Sequence, residues 1–223
     1  MVGVTVTETP PAKRSWRLTT IVGALLIATG LGFLGYVGWQ YYGTNIVSKR
    51  QQAELSDGLA DKWKNEAPGK LVRGDAMALV RIPRFGKTYE IPLVKGVDKK
   101  SLASGIGWFP ETAQPGAVGN FAIAGHRVTH GEPFRDFPKL RKGDKVVVET
   151  RSGVFTYALS DDGTDRVLDF SQNWVLDPVP GKPADTTPTE RKITMLTCSE
   201  LFHTDNRNVV FGELVDAKRK QSP

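Results

Sequence analysis

The feature that most constrains this chain is an uncharged segment near its N-terminus. Residues 18–42, LTTIVGALLIATGLGFLGYVGWQYY, hold no charged side chain across 25 positions. A helix of that length spans the roughly 30 Å of hydrocarbon in a bilayer. Trp39, Tyr41 and Tyr42 stand at its far end, where aromatic side chains settle at the membrane boundary. The segment therefore predicts an uncleaved signal anchor, because a cleaved signal peptide has a shorter apolar core.

The charges on either side of this segment predict its orientation. Three basic residues lie just before it, whereas Lys49 and Arg50 follow at a greater distance. Since basic residues concentrate on the cytoplasmic side, residues 1–17 are expected to form a cytoplasmic tail. The remainder of the chain is then expected to lie outside a cell membrane that it crosses once.

The overall composition argues against a nucleic-acid-binding protein. The formal charge is +6, but the basic residues are scattered and no nucleic-acid motif accompanies them. With 39% hydrophobic and 24% charged residues, the chain has the composition of an ordinary globular protein. The positive charge is more typical of a solvated surface, suited to an anionic membrane or cell wall.

Residues 43–73 are predicted to form a stalk or an amphipathic helix. Leu55, Leu59 and Trp63 recur every four positions and so share one helical face. Pro68 ends the pattern. Such a helix can either dock on the following domain or act as a spacer, and the sequence leaves both possibilities open.

Residues 74–217 have the pattern of a mainly β domain, followed by a basic tail at 218–223. Turn residues separate the apolar segments, and short helices are expected at 98–104 and 133–140. An irregular loop is expected at 176–190. Many short strands with few helices predict an antiparallel sandwich or a closed barrel. The seven segments rich in β-branched and aromatic residues are ALVRIP, TYEIPLV, NFAIAG, KVVVET, VFTYALS, KITMLT and NVVFGELV.

Cys198 is the only cysteine of the chain and cannot form an internal disulfide. Unpaired cysteines are uncommon outside the cytoplasm, so its presence suggests a function. It follows the strand-like ITMLT, and a strand end offers a nucleophile a rigid support. The alternative is a buried, inert thiol that packs as a small apolar side chain.

A reactive thiolate needs a proton-handling partner, most often histidine. His126 directly follows an apolar strand and a glycine, so it is the favoured partner. His130 and His203 lie in predicted loops, where they either line the cleft or have no catalytic role. Arg207 carries fixed donors that suit a carbonyl oxygen gaining negative charge. Cysteine, histidine and arginine together indicate acyl transfer through a thioester.

Other kinds of site are disfavoured. The spacing of His126 and His130 formally matches H-x-x-x-H, but it falls in a loop rather than on a helix. No G-x-S-x-G elbow of a serine hydrolase is present. We therefore expect neither a metal nor a cofactor.

At these residues the sequence resembles the sortases, membrane-anchored cysteine transpeptidases of Gram-positive bacteria. The resemblance rests on TMLTC at 194–198, NFAIAGHR at 120–127 and Arg207, and it covers about residues 75–216. The stretch at 107–134 is similar to class E sortases of actinobacteria. Met195 stands where the family pattern has leucine, and SELFH follows the cysteine where class E members often carry a proline.

The resemblance implies a closed eight-stranded barrel and a mechanism. Cys198 would attack the Thr–Gly bond of a secreted protein's LPxTG-like or LAxTG-like signal. His126 would act as general acid and base, and Arg207 would stabilise the oxyanion. Thr197 would help to form the substrate-binding site. The acceptor would be an amine of a cell-wall precursor.

Two rivals differ in class. L,D-transpeptidases are also extracytoplasmic, β-rich and thiol-based, but their cysteine lies in a G-C-x-R or G-C-x-N group. Here Thr197 precedes Cys198, so that motif is absent. The other rival is an anchored, non-enzymatic β-barrel that binds wall or protein ligands and keeps Cys198 inert. Thiol reactivity would separate it from the transpeptidase.

Overall fold

The computed structural model describes residues 14–65, 74–198 and 205–220. The chain divides into two units, Met1–Gln40 and Tyr41–Pro223. The described part of the first unit consists of helix α1, Arg14–Gly38, and the first two residues of a π-helical turn that continues into the second unit. The large apolar side chains of α1 are exposed, including Leu25, Leu26 and Phe33. Among the described residues, one helix, near the N-terminus, is long and apolar enough to cross a membrane.

The second unit contains two further helices and nine strands. A π-helical turn at Trp39–Gly43 leads into helix α2, Thr44–Asn65, and helix α3 is Lys99–Ser104. Short 3-10 turns occur at Pro83–Phe85, Phe137–Lys139 and Asn173–Leu176. The strands are β1 Ala76–Arg81, β2 Ile91–Lys95, β3 Ile106–Trp108, β4 Gly119–Ala124, β5 Lys145–Thr150, β6 Gly153–Leu159, β7 Val167–Asp169, β8 Arg191–Cys198 and β9 Asn206–Arg219.

Eight of these strands close into a barrel. The order is β6-β5-β1-β2-β3-β4-β8-β9, and pairing of β6 with β9 joins the two ends of the sheet. Strand β7 pairs with β9 outside that ring. The predicted eight-stranded barrel is thereby confirmed, and the alternative of a sandwich is wrong.

The pattern of short strands predicted antiparallel pairing, but two pairs of strands in the barrel are parallel. Strand β2 runs parallel to β3, and β4 runs parallel to β8. A parallel pair needs a crossover rather than a tight turn. Helix α3 lies between β2 and β3 in the chain, and strands β5, β6 and β7 lie between β4 and β8. These crossovers bring the ends of two parallel strands, β4 and β8, to the same rim of the barrel.

The barrel interior is filled by apolar side chains from alternate strand positions. Removing such side chains from water is the main source of stability. Tyr157 is fully buried, and its hydroxyl accepts a 2.7 Å hydrogen bond from the amide N–H of Gly116. Burial raises the pKa of Tyr157 to about 12. The largest fully buried side chains include Phe121, Phe134, Phe137, Ile82, Leu93, Ile106 and Met195.

Helix α2 lies against β1, β2 and α3. The predicted apolar face points inward, since Leu59 is buried and Leu55 and Trp63 are half-buried. At the far end of the helix, the ammonium group of Lys220 lies 4.6 Å from the centre of the Trp63 ring. Of the two possibilities left open by the sequence, docking is the one observed.

The last strand is longer than predicted. Strand β9 ends at Arg219, two residues beyond the predicted end of the barrel. The backbone N–H of Lys220 then donates to the carbonyl of Ser152, and its ammonium group lies 2.6 Å from Glu149. The pairing of β9 with β6 therefore includes the first residues of the segment predicted as a basic tail.

Candidate active site

Three of the predicted site residues lie at one rim of the barrel. In the β4–β8 pair, Ala124 lies opposite Leu196, so the next two positions of each strand lead to His126 and Cys198. Neighbouring strands lie about 4.8 Å apart, which places these two backbones side by side. Strand β9 returns antiparallel to β8, and Cys198 pairs there with Arg207. The predicted nucleophile, the predicted base and the predicted oxyanion-stabilising arginine therefore come from three adjacent strand ends.

The backbone around His126 is held on both sides. The N–H of Gly125 donates to the carbonyl of Leu196 at 3.2 Å. The hydroxyl of Thr197 donates to the carbonyl of Gly125 at 2.9 Å, and Thr197 is buried. On the other side, the N–H of Phe134 donates to the carbonyl of His126 at 2.9 Å. Since donors hold the carbonyls of both Gly125 and His126, the predicted base is carried by a fixed stretch of backbone.

Gly125 is required by the close approach of an aromatic ring. A Cβ at this position would lie 2.8 Å from the ring of Phe134, which is fully buried. Any larger residue would displace either the ring or the strand end. The glycine before the predicted base therefore has a packing reason.

His130 lies directly against His126. The two imidazole rings are stacked, with centroids 4.6 Å apart and an interplanar angle of 25°. Nδ1 of His130 lies 3.0 Å from the hydroxyl of Thr129. Burial lowers the pKa of His130, because the protonated ring loses hydration there. His130 therefore lies beside the predicted base, and its place in the cleft stays a prediction.

Arg207 lies at the opposite side of Cys198 from His126, at the start of β9. Its Nη1 donates to the carbonyl of Asn206 at 2.9 Å, and the residue is half-buried. Across the β7–β9 pair it lies opposite Leu168, next to Asp169. Hydrogen bonds from Ser171 and the charge of Arg207 lower the pKa of Asp169. The guanidinium group of Arg207 therefore lies near the carboxylate of Asp169.

One predicted candidate lies outside the described residues. His203 falls in the stretch 199–204, which the structure does not describe. Among the residues that are described, no group of three histidine, cysteine or acidic side chains is placed to hold a metal ion.

Two residues of the site's surroundings were missed by the sequence analysis. Asn45 and Gln52 of α2 are buried against the loop that carries His130. Both are polar and lie on a helix whose apolar face had been assigned from Leu55, Leu59 and Trp63. Asn45 and Gln52 are seven residues, or two helical turns, apart. This spacing was the one signal in the sequence that both side chains lie on the same face of the helix.

The family is established by comparison with known proteins. Residues 80–215 match the model of the sortase domain. The chain is 37% identical over 206 residues to Sortase SrtE1 of Streptomyces coelicolor, covering 88% of this chain and 57% of that protein. The chain therefore spans a little over half the length of that relative. The chain belongs to the sortase family. This membership supports the prediction from the sequence that the protein is a cysteine transpeptidase.

Solved structures agree with the fold. Sortase E from Streptomyces avermitilis is 36% identical, with a TM-score of 0.59 over 66% of this chain and 93% of that one. Sortase E1 from Streptomyces coelicolor, solved with a tripeptide in the active site, is 36% identical with a TM-score of 0.57. That match covers 67% of this chain and 94% of the other. The resemblance to class E sortases is thereby confirmed for the barrel.

Proposed function

We propose that this chain is a membrane-anchored transpeptidase. It cleaves an LPxTG-like or LAxTG-like signal between Thr and Gly and joins the released carboxyl end to a cell-wall amine. The observation that carries this proposal is the meeting of three strand ends, which places the backbones of His126, Cys198 and Arg207 at one rim of the barrel. The same arrangement does not follow from a binding module with an inert cysteine.

The acylation half of the reaction uses all three residues. The thiolate of Cys198 attacks the threonine carbonyl carbon and forms a C–S bond, while the carbonyl oxygen gains negative charge. Arg207 donates hydrogen bonds to that oxygen and to the bound signal. Breaking the C–N bond then requires a proton on the glycine nitrogen, which His126 supplies as general acid. The products are a thioester on Cys198 and a released peptide whose N-terminal residue is glycine.

In the second half of the reaction, the transfer of the acyl group, His126 accepts a proton instead of donating one. An acceptor amine attacks the thioester carbonyl, and His126 takes the proton that the amine loses. The new C–N bond forms as the C–S bond breaks, which returns Cys198 to its thiolate. Thr197 is proposed to shape the signal's binding site from its buried position beside the nucleophile.

The proposed location of the enzyme follows from the long apolar helix of the first unit. A membrane span at residues 18–42, with residues 1–17 inside the cell, holds the barrel at the outer surface. Secreted proteins and cell-wall precursors both arrive there. The tripeptide held in the active site of the Streptomyces coelicolor sortase E1 supports a peptide as the substrate class.

The proposal is tested with the full chain in detergent micelles. Fluorogenic LPxTG and LAxTG peptides are mixed with triglycine, and products are identified by mass spectrometry. We expect cleavage between Thr and Gly, an amine-joined product, and loss of both in Cys198→Ala. Because the chain has a single cysteine, iodoacetamide labels only the nucleophile. Absence of cleavage together with an unmodified thiol would instead support the non-enzymatic binding module.

A further inference from the structure

The loop that follows His126 has an unusual backbone. His130, Gly131 and Glu132 all have positive φ, at 52°, 84° and 55°. Glycine adopts this conformation freely, but other L-residues do so at an energetic cost. Two non-glycine residues in a row of three therefore need surrounding contacts to hold them. Strain of this kind concentrates at functional sites.

Helix α2 supplies those contacts through two buried amide side chains. Oδ1 of Asn45 accepts from the N–H of Gly131 at 2.9 Å. Nδ2 of Asn45 donates to the carboxylate of Glu132 at 2.6 Å and to the carbonyl of Val128 at 3.3 Å. Nε2 of Gln52 donates to the carbonyl of His130 at 3.0 Å. Each of these bonds has its partner within the loop at 128–132.

The helix and the loop are also in close steric contact. A Cβ on Gly131 would lie 2.6 Å from Nε2 of Gln52. Asn45 and Gln52 are only 9% and 3% exposed, so water does not compete for their bonds to the loop. The position of the loop is thus fixed by α2 rather than by the barrel strands alone.

The loop in turn fixes the ring that lies on the predicted base. The carbonyl held by Gln52 belongs to His130, whose imidazole stacks on that of His126 at 4.6 Å. We propose that Asn45 and Gln52 are positioning residues for transpeptidation, because they hold the His130 ring against His126 and so fix its orientation. This inference rests on the proposed function, and it makes the face of α2 that carries Asn45 and Gln52 a support of the active site.

The test compares two neighbouring glutamines of α2 in the full chain in micelles. Gln52→Met keeps the side chain's volume but removes the donor to His130. Gln51→Met is the matched control, since Nε2 of Gln51 donates to the hydroxyl of Ser104 on α3, away from the loop. For the peptide that the wild type cleaves, we expect Gln52→Met to lower kcat about tenfold with KM unchanged, because a full 1 Å misplacement costs about a hundredfold. Gln51→Met should retain the wild-type kcat.

Two variants of His130 test whether the ring is what matters. His130→Asn removes the ring while tolerating positive φ, and His130→Phe restores a ring that cannot titrate. We expect a lowered kcat in the first and substantial recovery in the second. The double variant Gln52→Met/His130→Asn should be no slower than the slower single variant, because both changes break one chain of contacts. Equal kcat in the two glutamine variants or additive losses would each overturn the inference. So would the absence of recovery in His130→Phe when this variant unfolds at the same urea concentration as His130→Asn, which excludes backbone strain as the cause.

A measurement without turnover separates this inference from the proposed function. The chain has three histidines, so their imidazole Hε1 resonances can be assigned by single substitutions. We expect the His126 signal to shift in Gln52→Met and in His130→Asn, but not in Gln51→Met. A wild type that cleaves neither peptide would refute the proposed function alone. An unshifted His126 signal in Gln52→Met would refute the positioning role alone.

Discussion

At the scale of single residues, Thr197 connects the strand of the predicted nucleophile to the strand of the predicted base. Its hydroxyl donates to the carbonyl of Gly125, immediately before His126, and both partners lie inside the barrel rim. The bond therefore supports the geometry of the site as well as the stability of the fold. Its burial favours such a role over direct contact with the bound signal.

Replacing Thr197 by valine should lower both stability and kcat. Valine has the same shape but leaves the Gly125 carbonyl without its donor, which costs about 1–3 kcal/mol of unfolding free energy. Urea unfolding and peptide-transfer kinetics in micelles measure the two effects, and Thr197→Ser should recover most of the lost activity. Thr194→Val is the matched control, because the Thr194 hydroxyl donates to Asn120 within the same strand pair. If both valine variants lose the same fraction of kcat, the hydrogen bond from Thr197 to Gly125 does not support the geometry of the site specifically.

His130 should make the stability of the fold depend on pH. Burial lowers its pKa from 6.5, so below that value the unfolded chain binds more protons than the folded one. The unfolding free energy should therefore fall as the pH drops from about 6.5 towards the lowered pKa of the folded state.

The effect can be isolated with His130→Asn, which cannot titrate at this position. Urea unfolding at about pH 8 and about pH 5, on either side of the ordinary histidine pKa, should show a larger loss for the wild type than for the variant. Equal losses would mean that other groups account for the acid sensitivity.

The strand-end positions of the three predicted site residues could be derived from the sequence for a local reason. Cys198, His126 and Arg207 each adjoin a clear β-type segment, so their place at strand ends was visible along the chain. The hydrogen bond between Thr197 and Gly125 joins residues 72 positions apart. The stacking of His130 on His126 depends on positive φ angles that no local pattern specified. Contacts of this kind follow from the packing of the whole domain.

At the scale of elements, seven strands were predicted correctly because each is an apolar run of several residues between turn signals. Strands β3 and β7 were missed, since each has only three residues and is too short to show alternation. The segment at 133–140 became a three-residue 3-10 turn at Phe137–Lys139 rather than a helix. The loop predicted at 176–190 is irregular up to the start of β8.

Helix α2 shows the limits of a pattern based on apolar residues. The face defined by Leu59 was correct, but the first turns of the helix reverse the usual arrangement. Asn45 and Gln52 point inward, whereas Ile46 and Val47 are 57% and 56% exposed. Hydrogen bonds to the 128–132 loop explain why the polar side chains are buried. Apolar periodicity carries no information about such bonds, so the docking site of the helix could not be derived from the sequence.

At the scale of the whole molecule, the unit that contains the barrel includes α2 but not α1. The division between the two units falls at Gln40–Tyr41, before the first residue of α2. We expect a chain shortened to residues 41–223 to be soluble without detergent and to transfer peptide as fast as the full chain does. The membrane anchor would then determine where the enzyme acts, and the barrel with α2 would determine what it does.

Further shortening to residues 74–223 should separate the two roles of α2. Loss of the buried Leu59 side chain alone removes roughly 1.5–3 kcal/mol of burial free energy. The unfolding free energy should therefore fall by at least about 1.5 kcal/mol relative to the chain that retains α2. The kcat should fall even at temperatures where the shorter chain is fully folded, because Asn45 and Gln52 no longer hold the loop beside His126. If the folded shorter chain instead turns over peptide as fast as the chain that retains α2, this helix stabilises the barrel without positioning the base.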